Sequence, residues 1–142
     1  MKAKILVYAL LAVILAAIHL AQAQQPRIYH IGVLTIGSPV LLINGLRDGL
    51  KDAGYSEGKN LVLEIPAKES YEELRPVAKT YIEKKYNLIV SFGATSTLIA
   101  KELTQEIPIL FVGVADPMGS GLVKSFSRPE ANVTGGCWSH GF

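Results

Sequence analysis

Residues 88–96 read Leu88-Ile89-Val90-Ser91-Phe92-Gly93-Ala94-Thr95-Ser96. A strand exposed on one face alternates apolar and polar residues, whereas this run is almost unbroken, so it predicts a strand covered on both faces. Gly93 ends the run. Thr95 and Ser96 then open a helix whose apolar positions are Leu98, Ile99 and Leu103. A doubly covered strand that passes directly into a helix is the repeating unit of a parallel α/β sheet.

The unit recurs on both sides. Residues 29–36 (YHIGVLTI) predict a first strand, closed by Gly37-Ser38-Pro39. Leu42, Ile43, Leu46, Leu50 and Ala53 then recur at helical spacing, and Gly54 sits where a glycine stops a helix. Residues 60–65 predict a second strand. Ser70 and Glu73 fit a capping box, but Pro76 conflicts with a helix beginning there. This helix therefore starts nearer Leu74 or follows a short turn, and Lys84-Lys85 is its solvated end. Residues 107–114 predict a fourth strand, 121–126 a short helix, and 132–134 the start of a fifth strand. This order predicts an α/β fold with a doubly wound parallel sheet.

Residues 1–23 have a different character. Lys2 and Lys4 precede an apolar run over 5–20, and Ala21-Gln22-Ala23 follows it. A basic start, an apolar middle and a small-x-small end are the layout of a secretory signal peptide, with cleavage expected after Ala23. The alternative is an uncleaved membrane anchor, for which 16 apolar residues interrupted by His19 are short. The chain divides accordingly into a leader, 1–23, and a single domain, 24–142. The two leader lysines account for the whole net charge of +2, so the remainder is neutral and carries no electrostatic footprint for nucleic acid. A place outside the cytoplasm, in the periplasm, gives little access to ATP or NAD(P)H.

In such a sheet, ligands bind outside the carboxyl ends of the strands. Three segments fall there: Gly37-Ser38-Pro39, Gly93-Ala94-Thr95-Ser96 and Ala115-Asp116-Pro117. Helix N-termini offer free N–H groups and a positive dipole end, which suit a carboxylate or another small anion. Ser38, Thr95 and Ser96 add hydroxyls; they are equally ordinary helix caps. Asp116 holds a ligand amine or caps the turn before Gly119. Catalytic patterns are lacking: there is no GxGxxG, GxxxxGK[ST], GxSxG or HExxH. His30 reads as structural. Cys137, the one cysteine, and His140 make too small a pair for a metal site. Neither cofactor, metal nor catalysis is expected. Asn132-Val133-Thr134 matches a glycosylation sequon, a pattern that arises often by chance.

The strings Ile31-Gly32-Val33-Leu34, Gly37-Ser38-Pro39, residues 45–50 (GLRDGL), 53–60 (AGYSEGKN), Glu64, Ile107-Pro108-Ile109, Phe111-Val112, Asp116-Pro117, Gly121-Leu122-Val123, Arg128-Pro129 and 132–135 (NVTG) resemble, in order and spacing, one family. It is the bacterial ABC-transporter substrate-binding proteins of tryptophan/tyrosine type. The resemblance implies a type I periplasmic-binding-protein-like fold with two lobes that close on a small organic ligand, such as an amino acid, and dock on a membrane permease. It implies that the loops after the first, third and fourth strands line the cleft, which carries over to Ser38, Thr95, Ser96 and Asp116; Gly37, Gly93 and Ala94 are candidates from their strand-end position in the same loops. Only the N-terminal lobe is matched, and residues 136–142 depart from the pattern, which implies a truncated or frameshifted gene or a partial sequence. An extracytoplasmic sensor module of the same fold is the alternative.

Overall fold

The computed structural model describes residues 1–23, 27–125 and 132–137. Helix α1 covers Lys2–Ala23, the expected leader. No helix among the described residues is long and apolar enough to cross a membrane. The domain follows as β1 (Tyr29–Leu34), α2 (Val40–Asp52), β2 (Leu61–Glu64), α3 (Tyr71–Glu83), β3 (Leu88–Phe92), α4 (Ala94–Leu103), β4 (Ile109–Val114) and β5 (Val133–Cys137). All neighbouring strands pair in parallel, in the order β2-β1-β3-β4-β5. The doubly wound α/β expectation is thus observed.

Strand alternation sorts the sheet into two faces. Leu34, Ile89, Ile109 and Phe111 point toward α3 and α4, where they join Leu74, Ala78, Tyr81 and Ile99 in the main core. Ile31, Val33, Leu61 and Val90 point to the other face and meet Leu46 and Leu50 of α2. Among the described residues, one face therefore carries α3 and α4 and the other carries α2. Chain direction across the sheet reverses between β1 and β3, and right-handed crossovers place the helices before and after that reversal on opposite faces.

Local chemistry explains the helix ends. Gly54, with φ +90°, follows α2 as expected; its N–H donates to Lys51 O (3.0 Å) and the Tyr55 N–H to Leu50 O (2.8 Å). These two bonds make a Schellman motif. Helix α3 ends in the same way around Lys85 at φ +53°, with Tyr86 N donating to Tyr81 O at 3.0 Å. Lys84 and Lys85 are exposed, as a solvated helix end requires.

Three local expectations are corrected. Helix α3 starts at Tyr71 and runs through Pro76. Proline there removes one helical hydrogen bond, but Leu74, Ala78 and Tyr81 are fully buried on both sides of it and hold the turn in place. The capping box is not formed, since neither of its two bonds involving Ser70 is made. Ser70 makes no side-chain cap bond, while Glu73 Oε2 accepts from Glu69 N at 3.3 Å. The helix expected over 121–126 is absent from its described residues, and Phe126 lies outside them. Lys101 Nζ takes the carbonyls of Gly121 (2.7 Å) and Leu122 (3.1 Å), so those groups are committed elsewhere. Arg128, Pro129, Trp138 and His140 also lie outside the described residues.

Tyr81 ties three elements together. Its ring lies against Gly32, and a Cβ on Gly32 would sit 2.4 Å from that ring. Its hydroxyl donates to Val33 O (3.2 Å) and lies 3.3 Å from Glu64 O, so α3 is bonded to both β1 and β2. Tyr86 stacks on it at 4.7 Å and donates to the Glu64 carboxylate. His30 packs beside Tyr86, with ring centroids 5.5 Å apart, a structural position as expected.

Replacing Gly32 by alanine forces the Tyr81 ring to move, and overpacking of this kind costs ~1–3 kcal/mol, measurable by urea denaturation. Burial, reinforced by the Glu64 carboxylate, pushes the Tyr86 hydroxyl up to about 12 and the Tyr81 hydroxyl higher still. Folded values above the ordinary value of 10 mean that this stability is complete below pH 10 and is lost as pH rises through 12. A Tyr86→Phe variant is expected to be less stable at pH 7, by ~1–2 kcal/mol for the lost bond to a carboxylate. It should also lose less stability than the parent when both are unfolded at pH 10 and again at pH 12.

Candidate functional site

The parallel strands bring all three predicted loops to one edge of the sheet. β1 and β3 are neighbours, with Leu34 opposite Ser91, and the direction reversal lies between them. Open α/β sheets bind ligands at such a point, because the loops on its two sides diverge to opposite faces and leave a crevice.

On the β1 side, Ile36 bridges to Lys68, and Gly37 N donates to Lys68 O at 2.8 Å, which pins the loop to the segment after β2. Gly37 has φ +68°. Ser38 is exposed and lines a cavity of about 220 Å³ with Val40, Ile43, Asn44, Arg47 and Ile65. Pro39 caps α2 without any side-chain bond, and the helical ladder begins only with Ile43 N to Pro39 O at 3.0 Å. The amides of Val40, Leu41 and Leu42 therefore have no helical acceptor.

On the β3 side, Gly93 caps α4 at φ +85°, ψ 163°, again with no side-chain bond. The ladder begins with Thr97 N to Gly93 O at 3.3 Å, so the amides of Ala94, Thr95 and Ser96 are outside it. Gly93 reaches this φ without strain because it has no Cβ. Thr95 is exposed, and Ser96 is fully buried. The Ser96 Oγ has no hydrogen-bond partner, an uncommon state for a buried hydroxyl.

The residue that organises this corner is Thr97, which sequence reasoning passed over. Its Oγ1 lies 2.7 Å from Gly93 O and 2.8 Å from Ser91 Oγ, and all of Thr97 is buried. The signal was present: Ser91 is the lone polar residue of the buried run, and it needs a partner.

Asp116 is engaged locally. Its Oδ1 accepts from Gly119 N at 2.8 Å, and its backbone oxygen accepts from Ser120 Oγ at 2.6 Å. This is the turn-capping alternative. Asn132 is engaged through its Nδ2, which donates to Thr104 O (3.2 Å) and Ile107 O (2.6 Å), while its buried Oδ1 has no partner. Among the described residues no cluster of three His, Cys, Asp or Glu is placed to hold a metal. A larger cavity of about 360 Å³ lies at the opposite, amino end of the strands, between Tyr29, Ile31, Leu50, Tyr55 and Leu88. Its position sets it apart from the crevice.

A family profile described as ABC transporter substrate binding protein matches residues 31–137. A curated relative, the tyrosine-binding protein of Clostridioides difficile strain R20291, is 33% identical over 92 residues, which are 64% of this chain and 27% of the relative. Two solved structures align at similar quality. One is the ligand-free, open form of a substrate binding protein with adhesive properties from Clostridium difficile (TM-score 0.71, 28% identity, 76% of this chain and 38% of that one). The other is an ABC domain in complex with L-Trp from Streptococcus pneumonia (TM-score 0.70, 26% identity, 78% and 38%). The chain thus spans between about a quarter and two fifths of the length of these proteins.

Removing the unpartnered hydroxyl with Ser96→Ala is expected to leave stability unchanged or raised, because nothing bonded is lost. Thr97→Val leaves Ser91 buried with one partner fewer and should cost ~1–3 kcal/mol. Thermal denaturation of the two variants side by side checks the contrast.

Proposed function

The chain belongs to the ABC transporter substrate-binding protein family, and on that premise we propose that it is the N-terminal lobe of an exported solute-binding protein for ABC uptake. The observation that carries the reading is the pair of uncapped helix N-termini at the crevice. Helices α2 and α4 both begin there, on opposite faces of the sheet, and neither has a side-chain cap. Three free amides on each helix, with two dipole ends converging, favour a small anion.

The ligand in this reading is a free amino acid. Its carboxylate takes amides from Ala94, Thr95 and Ser96, with the Thr95 and Ser38 hydroxyls beside it and Gly37 and Gly93 keeping the approach clear. The ligands in the names of the relatives, tyrosine and L-Trp, carry the matching group. The Asp116 carboxylate, held by Gly119, keeps its second oxygen for the ligand amine. Binding is completed by a second lobe closing over the crevice, and the closed form docks on a membrane permease. Nothing is transformed, so the protein acts as a carrier and not as an enzyme. Residues 1–23 direct export and are removed after Ala23.

Titration with L-Trp, followed by the amide resonances of the chain, tests the assignment. Shifts concentrated at 37–38 and 93–96, abolished with tryptamine, which lacks the carboxylate, are the expected result. Absence of shifts at those amides up to the solubility limit of every amino acid tried would remove the site from consideration.

A further inference from the structure

The amino edge of the sheet, opposite the crevice, holds the larger cavity, of about 360 Å³. Pockets that take small organic ligands run from about 300 to 1,000 Å³. Ile31 of β1 is buried in its lining, while Tyr29, Leu50, Tyr55 and Leu88 around it are only half-buried. Backbone bonds hold these walls: Tyr29 N donates to Asn60 O and Tyr55 N to Leu50 O, each at 2.8 Å. The Tyr29 and Tyr55 rings meet edge to face, with centroids 5.2 Å apart and planes at 89°. A corner of two perpendicular rings offers a face and an edge to a third aromatic ring.

The polar part of the lining consists of donors. The Arg27 guanidinium lies over the Tyr29 ring, 5.5 Å from its centroid. Such stacking uses the flat face of the guanidinium and leaves its in-plane N–H groups to grip a carboxylate two at a time. Among the described residues no carboxylate pairs with Arg27; the ion pairs there are Arg47–Glu57 and Arg75–Glu102. Asn87 also lines the cavity, and its Oδ1 accepts from His30 N at 2.8 Å. That bond fixes the side-chain amide and leaves Nδ2, a donor, without a partner among the described residues. No Asp or Glu among the described residues lines the cavity. An ammonium group therefore meets no countercharge there, and a neutral apolar molecule leaves both donors unused.

We propose that this cavity is a second ligand site, for an aromatic carboxylic acid that lacks an amine. The aromatic ring of the ligand packs against Tyr29 and Tyr55 and is enclosed by Ile31, Leu50 and Leu88. Its carboxylate takes the Arg27 guanidinium and the Asn87 Nδ2. This class differs from the amino acid assigned to the crevice, whose amine uses Asp116. The two sites lie at opposite ends of β1 and β3, so failure of one leaves the other untouched.

The probe is indole-3-acetate, which keeps the indole and the carboxylate of L-Trp without its amine. It is titrated into the 142-residue chain and followed by amide and methyl NMR. Saturable shifts at Arg27, Tyr29, Leu50, Tyr55 and Leu88 are expected, with none there for tryptamine. Arg27→Gln should weaken binding by about tenfold or more, through loss of a charge-assisted contact. Asn87→Asp keeps the acceptor for His30 N but sets a negative charge beside the ligand carboxylate, so it should abolish these shifts. Both residues are exposed, and an unchanged Tm in each variant shows that the fold is kept. No shifts up to the solubility limit, shifts confined to 37–38 and 93–96, equal shifts with tryptamine, or unchanged affinity in the two variants would each overturn the proposal.

Discussion

Crossovers between parallel strands are right-handed, so the direction in which the chain steps across a sheet decides which face each connecting helix covers. Here the chain steps from β1 to β2 in one direction and then works back through β3, β4 and β5. That reversal puts α2 on one face and α3 with α4 on the other. It creates the crevice between the β1 and β3 loops, and it aims two helix N-termini at that crevice.

The better-covered face shows what full coverage provides. Tyr81, Leu74, Ile89, Ile109 and Phe111 are essentially without solvent contact. Polar groups inside that layer are matched: the Tyr81 hydroxyl with strand carbonyls, Tyr86 with Glu64, and Ser91 with Thr97. Buried hydroxyls are tolerated when bonded, and these bonds specify how α3 and α4 sit on the sheet. The opposite face relies on Leu46 and Leu50 of a single helix that contains Gly45 and Gly49. The crevice lies where the two regimes meet. There Ser96 keeps a buried hydroxyl without a partner, and backbone amides stand unoccupied. Elsewhere among the described residues, Asn132 Oδ1 is also buried without a partner.

Most of the fold was legible because its signals are local. The apolar run of β3 matched its observed bounds, Gly54 stopped α2, and Lys84-Lys85 closed α3 in solvent. Misreadings occurred where a distant group intervened. Pro76 argued against a helix start at Tyr71, but burial of Leu74 and Tyr81 against the sheet outweighed one missing hydrogen bond. Lys101, on α4, takes the carbonyls at Gly121 and Leu122 and leaves that stretch without a helix. The loops that compose the candidate site were legible for the same reason as the strands, since strand ends mark them. Which hydroxyl does what was not, because Thr95, Ser96 and Thr97 are adjacent in the chain and differ only in how they face the sheet.

The order of strands and helices, the α/β class, the neutral composition behind an apolar N-terminal stretch and the three strand-end loops were therefore set by residue pattern alone, which depends on periodicity and on glycine and proline punctuation. Only the tertiary structure decided which strands are neighbours, and hence that the β1 and β3 loops share one crevice. It alone decided that Gly32 is small because Tyr81 lies on it and that Thr97 and not Ser96 secures the α4 corner. Each of these depends on contacts between residues far apart in the chain, and such contacts leave no period in a sequence.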